Sequence, residues 1–447
     1  MAFPATGNEF LDTYMTMVED TEPPRLYHVW SALSIVGATL GRRCYLPFGY
    51  EDLYPNIYVL LVGNAATRKS TAMKIGKKLL ASCTDVRFAP DSTAGKYQGL
   101  VTAMVTGEEK EEDTAMQAEI EKLFKDKVVG PEDLGMLHYG KAPKPMPVID
   151  PVDKHVLYAA ASEFNTFIGH GNLEFLEFLG KVYDGDDYEY QLRNTKDVLK
   201  DPLMSMIGCT TPTNIATAMP HEAIGQGFTS RIVFVYGAKK YKRVPRPAPF
   251  HQEFYSFLQR RLRQLYFDWH GAFNETREAY AYADAIYERA SDLMDSRFAY
   301  YLQRRHTHFL KIGMILTAMR GKKDIELQDY QLADRLLIET EKFMPEALGE
   351  YGLSPISMAK QKIVEFVRTV DEPVSSNILW SMLGRDIRMN EFVACLQDLC
   401  AQDKIQLVTV TVRGQKQAAY IPKIAHGAEM LDLMDAVQTS TGTGTVQ

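Results

Sequence analysis

Short, unbroken apolar runs recur along the first half of the chain, at residues 57–62, 86–89, 156–161, 203–209 and 232–236. Runs of this length bounded by turn formers read as strands covered on both faces, as in a parallel sheet. Helical spacing fills the intervals, so the pattern predicts an α/β sheet of about five strands. Ahead of it, residues 1 to about 50 read as helices. Phe10, Tyr14 and Met17 share one stripe, and an apolar stretch from Trp30 to Leu40 precedes the turn formers Pro47 and Gly49.

The pattern also divides the chain. Residues 51–249 read as the sheet domain, interrupted at 107–151 by an acidic helix and a Gly- and Pro-rich loop; residues 107–127 alone hold eight acidic and four basic side chains. The segment 239–249 is a Pro-stiffened connector with five Lys or Arg and no acid up to Arg246. Long helical periodicity then covers 250–353, a helical lid region with Ile312, Ile315, Leu316 and Met319 on one face. From 354 to 425, three helical runs precede two strand-like runs joined by the turn Arg413-Gly414-Gln415-Lys416, a winged-helix pattern. The small polar residues that close 426–447 predict a flexible tail.

Composition narrows the class of protein. Of 447 residues 46% are hydrophobic and 24% charged, which excludes a wholly disordered or collagen-like chain. Fifty Lys and Arg against 57 Asp and Glu give a net charge of −7, so any nucleic-acid contact must come from a local basic surface. The five cysteines form no CxxC pair, which argues against a zinc ribbon or a disulfide framework. The N-terminal residues show no signal-peptide pattern, and the 30–40 stretch is shorter than the ~18 residues that cross a bilayer. Together these features predict a cytoplasmic, reduced protein without membrane contact.

The densest chemical signal is Gly63-Asn64-Ala65-Ala66-Thr67-Arg68-Lys69-Ser70-Thr71, placed directly after a buried strand and before a helix expected to start at about Thr71. A Walker A loop occupies that context: backbone N–H groups cradle phosphates, the Lys reaches the outer phosphates and the hydroxyl ligates Mg²⁺. Lys69 and Ser70 fill those two roles. Arg68 stands where the pattern has Gly, at a position whose backbone often needs conformations closed to a side chain.

Three further positions complete a candidate ATPase. Glu163 ends the run 156–161 on a strand expected to flank the loop, where a carboxylate could activate water, and Ser162 stands where an acidic residue would hold the metal shell. A cap or surface ion pair is the alternative for Glu163. Thr210 ends the next strand and could sense the terminal phosphate, whereas Thr211 reads equally as a helix cap. Arg231 follows the glycine-rich Gly225-Gln226-Gly227 at a strand start, either projecting from an edge or pairing with a carboxylate.

These segments, over about residues 25–320, resemble a family of phage and prophage replication ATPases: primase-associated, helicase-like P-loop proteins related to the ring-forming AAA+ and RecA-type motors. The likeness rests on residues 54–71, on Ser162-Glu163-Phe164, on 182–215, on 225–236 and on 304–319. In such relatives the loop can carry Arg-Lys in place of Gly-Lys. The resemblance implies that Gly63, Arg68, Lys69, Ser70 and Thr71 bind ATP, with Mg²⁺ at Ser70. It further implies Glu163 as the activator of water, Thr210 as the phosphate sensor and Arg231 as a residue acting in trans across a ring, expected to be a hexamer. Arg304, His308 and Lys311 share one helical face, and either a second sensor or a solvated surface fits them.

Nucleic acid has one favoured place. Residues 188–200 read as a hairpin with Asn194-Thr195 at its tip, and similar ring helicases point a hairpin there into the central channel. Arg193, Lys196 and Lys200 would track phosphates, and Tyr188 or Tyr190 would stack on bases. In the winged-helix pattern, acids at Glu391, Asp398 and Asp403 leave Arg385, Arg388, Arg413 and Lys416 as the better contacts. Two functions follow. One is an ATP-driven oligomeric DNA helicase or translocase of phage replication acting on single strands, with primase as a possible partner. The other is an ATP-switched helicase loader or scaffold, supported by Ser162. A nucleotide kinase is disfavoured, because it needs neither the winged helix nor a trans arginine.

Overall fold

The computed structural model describes residues 5–90, 96–106, 153–169, 171–191, 196–219, 227–289, 293, 295–349, 355–370, 372–384, 387–402, 404–412 and 415–422. The insertion predicted at 107–151 and the tail at 426–447 lie outside them. The described chain forms two compact units, Met1–Tyr351 and Gly352–Gln447.

The first unit is built on four parallel strands: β1 (Tyr58–Val62), β2 (Val156–Ala161), β3 (Leu203–Thr210) and β4 (Ile232–Tyr236). Their spatial order is β2-β3-β1-β4. Every residue of β1 and β3 is buried, as continuous apolar runs require of strands covered on both faces. The fifth expected strand does not form. Residues 86–89 make only a parallel bridge, Phe88 with Tyr158, on the outer edge of β2. Val86 and Phe88 are only half-buried, and Pro90 has no N–H with which to continue a ladder.

This order reverses direction at β1. The chain leaves β1 for the far edge at 86–89, steps inward through β2 and β3, and then crosses to the other side of β1 for β4. Ligands of open α/β sheets bind outside the carboxyl ends of the strands at such a reversal.

Helices and hairpins close the sheet. α1 (Arg25–Leu40) is buried along nearly its whole length and packs against α2 (Lys69–Ala81), against the helix Gln252–Asp268 and against α3 (Ala299–Met319). Gly37 of α1 is required by a close approach, since a Cβ there would stand 2.5 Å from the Pro55 carbonyl oxygen. The Trp30 indole N–H donates to the Thr340 hydroxyl at 2.9 Å, and the Asn8 amide donates to the Leu316 carbonyl at 2.9 Å. The first 50 residues are not wholly helical: Cys44–Phe48 and Glu51–Leu53 form a hairpin turning at Gly49, which has φ +66°. Cys44 and Tyr45 also pair with Gly271 and Ala272. The N-terminal region, the sheet and the 250–353 helices therefore share one hydrophobic core.

In the second unit, helices Pro355–Thr369, Ser376–Leu383 and Met389–Ala401 precede the antiparallel pair Ile405–Val412 and Gln415–Pro422. The short strand Val374–Ser375 adds to the free side of Gln415–Pro422. Ile363, Leu379, Leu383, Phe392 and Leu396 form its core. All five cysteines are free thiols, and four are buried. Among the described residues no helix is long and apolar enough to cross a membrane.

Candidate functional site

The loop 63–68 lies at the carboxyl end of β1, at the reversal of strand order. Gly63 donates its N–H to the Thr210 carbonyl at 3.3 Å, which ties the loop to the end of β3. A Cβ at Gly63 would stand 2.5 Å from both the Gly237 carbonyl and the Tyr27 hydroxyl, so only glycine lets the loop turn there. Ala66 and Arg68 adopt left-handed conformations, with φ +67° and +63°. Arg68 is the N-cap of α2, which begins at Lys69, two residues earlier than the expected Thr71. A left-handed residue joined to helical ones turns successive N–H groups the same way, the geometry of an anion-binding concavity. Arg68 thus does occupy a glycine-type position, at about 1–2 kcal/mol for an L-residue.

The Lys69 side chain folds back over this loop. Its Nζ donates to the carbonyls of Gly63 (2.7 Å) and Asn64 (2.9 Å) and to the Thr67 hydroxyl (3.4 Å). Burial lowers its pKa, and the negative charges of Cys209 and Glu163 would raise it. Burial pushes the Cys209 thiol up to about 12, so at neutral pH the acting counter-charge is Glu163. Ser70 and Thr71 are half-buried in the first turn of α2. Among the described residues neither hydroxyl has a partner within the chain.

Glu163 is exposed just beyond β2, at the N-cap of the short helix Phe164–Ile168, and its side chain does not cap that helix. The expectation that its strand flanks the loop is corrected: β3 lies between β1 and β2. Two inter-strand steps put roughly 9–10 Å between the strand ends, room for a phosphate and a water between Lys69 and Glu163. On the intervening strand Thr210 is buried and pairs in register with Val62. Its hydroxyl donates to the Asn165 side-chain oxygen at 3.3 Å, and Asn165 Nδ2 donates to the Asn214 carbonyl at 2.8 Å. Thr211 is the N-cap of Pro212–Ala218, accepting from the Asn214 N–H.

Gly63, Arg68, Lys69, Ser70, Thr71, Glu163 and Thr210 therefore gather at one end of the sheet. Arg231 does not join them. It precedes β4 at the amino edge, where Ile232 pairs with Tyr58, about 13 Å along the strands from the loop. Its guanidinium is bonded to the Asp184 carboxylate and the Gly227 carbonyl, and its side chain is 12% exposed. It is held inside its own chain and does not project from an edge.

The face of Arg304, His308 and Lys311 meets the same amino edge and is not a solvated surface. Arg304 bonds Asp184 at 3.0 Å, His308 Nε2 meets the Ser230 carbonyl at 2.9 Å, and Lys311 Nζ donates to Asn56 Oδ1 at 2.6 Å. No residue of this face can read a nucleotide held by the loop of its own chain.

The hairpin of residues 188–199 forms, with Tyr188–Gln191 antiparallel to Lys196–Leu199. Arg193 and the tip lie outside the described residues, as do the side chains of Tyr190 and Lys196. Lys200 is exposed and paired with Asp187 at 2.5 Å. Tyr188 is committed to packing, edge-on to Phe178 with Lys181 over its ring. In the second unit the Glu391 carboxylate accepts from the Arg388 N–H at 2.8 Å, closing a helix start. Arg385, Asp403, Arg413 and the Lys416 side chain lie outside the described residues.

Sequence reasoning missed the residues that brace the loop. The Tyr27 hydroxyl donates to the Val62 carbonyl at 2.6 Å. Glu22 accepts from Arg68 Nε at 2.5 Å and from Lys240 Nζ at 2.9 Å, and these bonds, Lys240's first, lower its pKa to about 2. Nothing in a linear pattern joins residue 22 to residues 68 and 240.

No protein-family model matches the chain, and no curated protein matches it.

Proposed function

We propose that the chain is an ATP–Mg²⁺-dependent P-loop ATPase of the ring-motor type, a DNA helicase or translocase of phage replication acting on single strands. The observation that carries the reading is the loop 63–68, placed at the reversal of strand order, with a left-handed residue immediately before Lys69 and the start of α2. The donor set fits a Mg-nucleotide. The loop's N–H groups and Lys69 would receive the phosphates, and Ser70 would give the metal one protein oxygen. Mg²⁺ keeps several waters and is held chiefly by one or two protein oxygens and the phosphates of its nucleotide.

The bound nucleotide supplies a strained phosphoanhydride and its metal the Lewis acidity. The residues of this chain do the rest. Glu163 would take the proton of the attacking water on its carboxylate. Thr210, oriented by Asn165, would hold that water or the terminal phosphate by its hydroxyl. The winged-helix reading of the second unit rests on its order of elements, three helices before an antiparallel strand pair, and single-stranded DNA as the polymer bound rests on the family resemblance.

One observation favours the second reading, an ATP-switched loader or scaffold. Arg231 is locked to Asp184, and a trans role requires it to leave that partner. Measuring ATP turnover with and without single-stranded DNA, alongside native mass, tests both. A motor assembles and is stimulated several-fold by the strand. Binding without stimulated turnover leaves the switch.

A further inference from the structure

The amino edge of the sheet carries an open cavity of about 530 Å³, within the size range of small-molecule sites and at the opposite end from the phosphate loop. Asp184, Arg304, Thr307 and Lys311 are among the residues that line it. Asp184 is bonded by both Arg231 and Arg304, and Lys311 stands close enough to interact with all three charges. Three cationic side chains thus surround one carboxylate, Arg304 and Lys311 from the cavity wall and Arg231 from outside its lining.

Among the described residues the donors there are incompletely used. Lys311 is 3% exposed, lies over the Tyr183 ring at 4.0 Å and has Asn56 Oδ1 as its hydrogen-bond acceptor, although an ammonium carries three donors. Asn56 offers Lys311 its Oδ1 alone, because its Nδ2 is a donor, committed to the carbonyls of Tyr183 and Met204. Arg304 commits Nη1 to Asp184 and keeps a third of its side chain exposed. The nearby Arg42, 10% exposed, pairs with Asp201 and has a buried Nη1 with no partner among the described residues.

We propose that this cavity is a binding site for a phosphate-class oxyanion, free or as the terminal group of a small phosphate monoester, received by Lys311 and Arg304. The anion completes the Lys311 donor shell and balances the surplus charge around Asp184. The acids Glu51, Asp52 and Asp186 also line the cavity, and Glu51, Asp52 and Asp186 are all exposed, where water screens them. Burial, reinforced by Arg304 and Arg231 against Asp184, brings the Lys311 pKa down to about 7, and a bound anion raises it again. His308, one turn before Lys311, is held neutral by burial and adds no charge. Binding therefore takes up a proton and weakens as pH rises through 7.

The proposal is independent of the phosphate-loop reading and is tested on the full chain carrying Lys69→Ala, which removes the lysine of that loop. Inorganic phosphate, glycerol 3-phosphate, sulfate and acetate are titrated by calorimetry, with thermal unfolding as a second readout. Phosphate and sulfate are expected to bind and raise Tm, with acetate at least several-fold weaker. Adding Lys311→Met is expected to weaken sulfate binding at least tenfold. Sulfate keeps its charge between pH 6 and 8.5, so its affinity reports the protein alone and is expected to fall across that range. Should Lys311→Met not fold, Arg304→Gln is expected to give a similar loss. Comparable affinity for phosphate and glycerol 3-phosphate assigns a monoester, and phosphate alone assigns the free ion. Sulfate affinity within twofold after either substitution, acetate binding as well as phosphate, a flat pH profile, or no binding at tens of millimolar overturns the site.

Discussion

At the scale of single residues, the loop's function and its strain separate cleanly. Lys69 donates to loop carbonyls that cannot match a polyphosphate's charge, so a nucleotide would take those donors over. Lys69→Ala is expected to weaken ATP binding by roughly 2–4 kcal/mol, about 30- to 1,000-fold; unchanged affinity in a fluorescence titration refutes the site. Glu163→Gln keeps the shape and loses the base, so turnover is expected to fall about 10²- to 10⁴-fold at near-constant ATP affinity. Equal turnover returns Glu163 to a surface role. Arg68→Gly removes the left-handed penalty together with the ion pair to Glu22, whose Arg68 end is exposed and screened by water, so thermal stability should stay level or rise slightly. A marked drop in Tm shows that the Glu22 clamp outweighs the strain. The loop's backbone geometry was legible from one motif, the left-handed position of Arg68 included, because a Walker-type spacing specifies backbone geometry as well as chemistry. Glu22 and Tyr27 were not, since they reach the loop from the segment before α1 and from within it.

Among secondary-structure elements, apolar runs located β1 to β4 because strands buried on both faces are built mainly of apolar residues. They could not give the order of the strands, which is why Glu163 was assigned to the neighbour of β1 when β3 stands between. The face of α3 was misread for a related reason. Arg304, His308 and Lys311 look solvent-facing in sequence, but hydrogen bonds to Asp184, Ser230 and Asn56 let the chain bury them. That burial has a pH signature. Lys311 binds its proton more weakly folded than unfolded, so stability should rise with pH from about 7 toward 10.5, with a slope of up to about 1.4 kcal/mol per pH unit. His308 is lowered to about 4 by burial; its contribution is present above the ordinary pKa of 6.5 and is lost as pH falls from there toward 4. Urea denaturation of the chain and of Lys311→Met should diverge only on the alkaline side, and parallel curves there contradict a buried amine.

For the whole molecule, the boundary near residue 352 follows from two separate hydrophobic cores. A chain ending at 351 should fold and bind ATP as the full chain does; failure to unfold cooperatively would show that the second unit is needed. The first unit has no comparable cut. α1 is walled by α3, with Asn8 bonded to Leu316 and Trp30 to Thr340 across more than 300 residues. This has a consequence for biosynthesis. At about 5–20 residues per second, a ribosome takes roughly 15–60 s to deliver the partners of a helix it made near the start. Throughout that interval the face of α1 that packs on α3 has nothing to close against, so the nascent unit depends on holdase-type protection and folds only after most of it has emerged. A fragment ending at 250, carrying every strand of the parallel sheet, should accordingly be protease-sensitive and aggregate while the 351-residue chain does not.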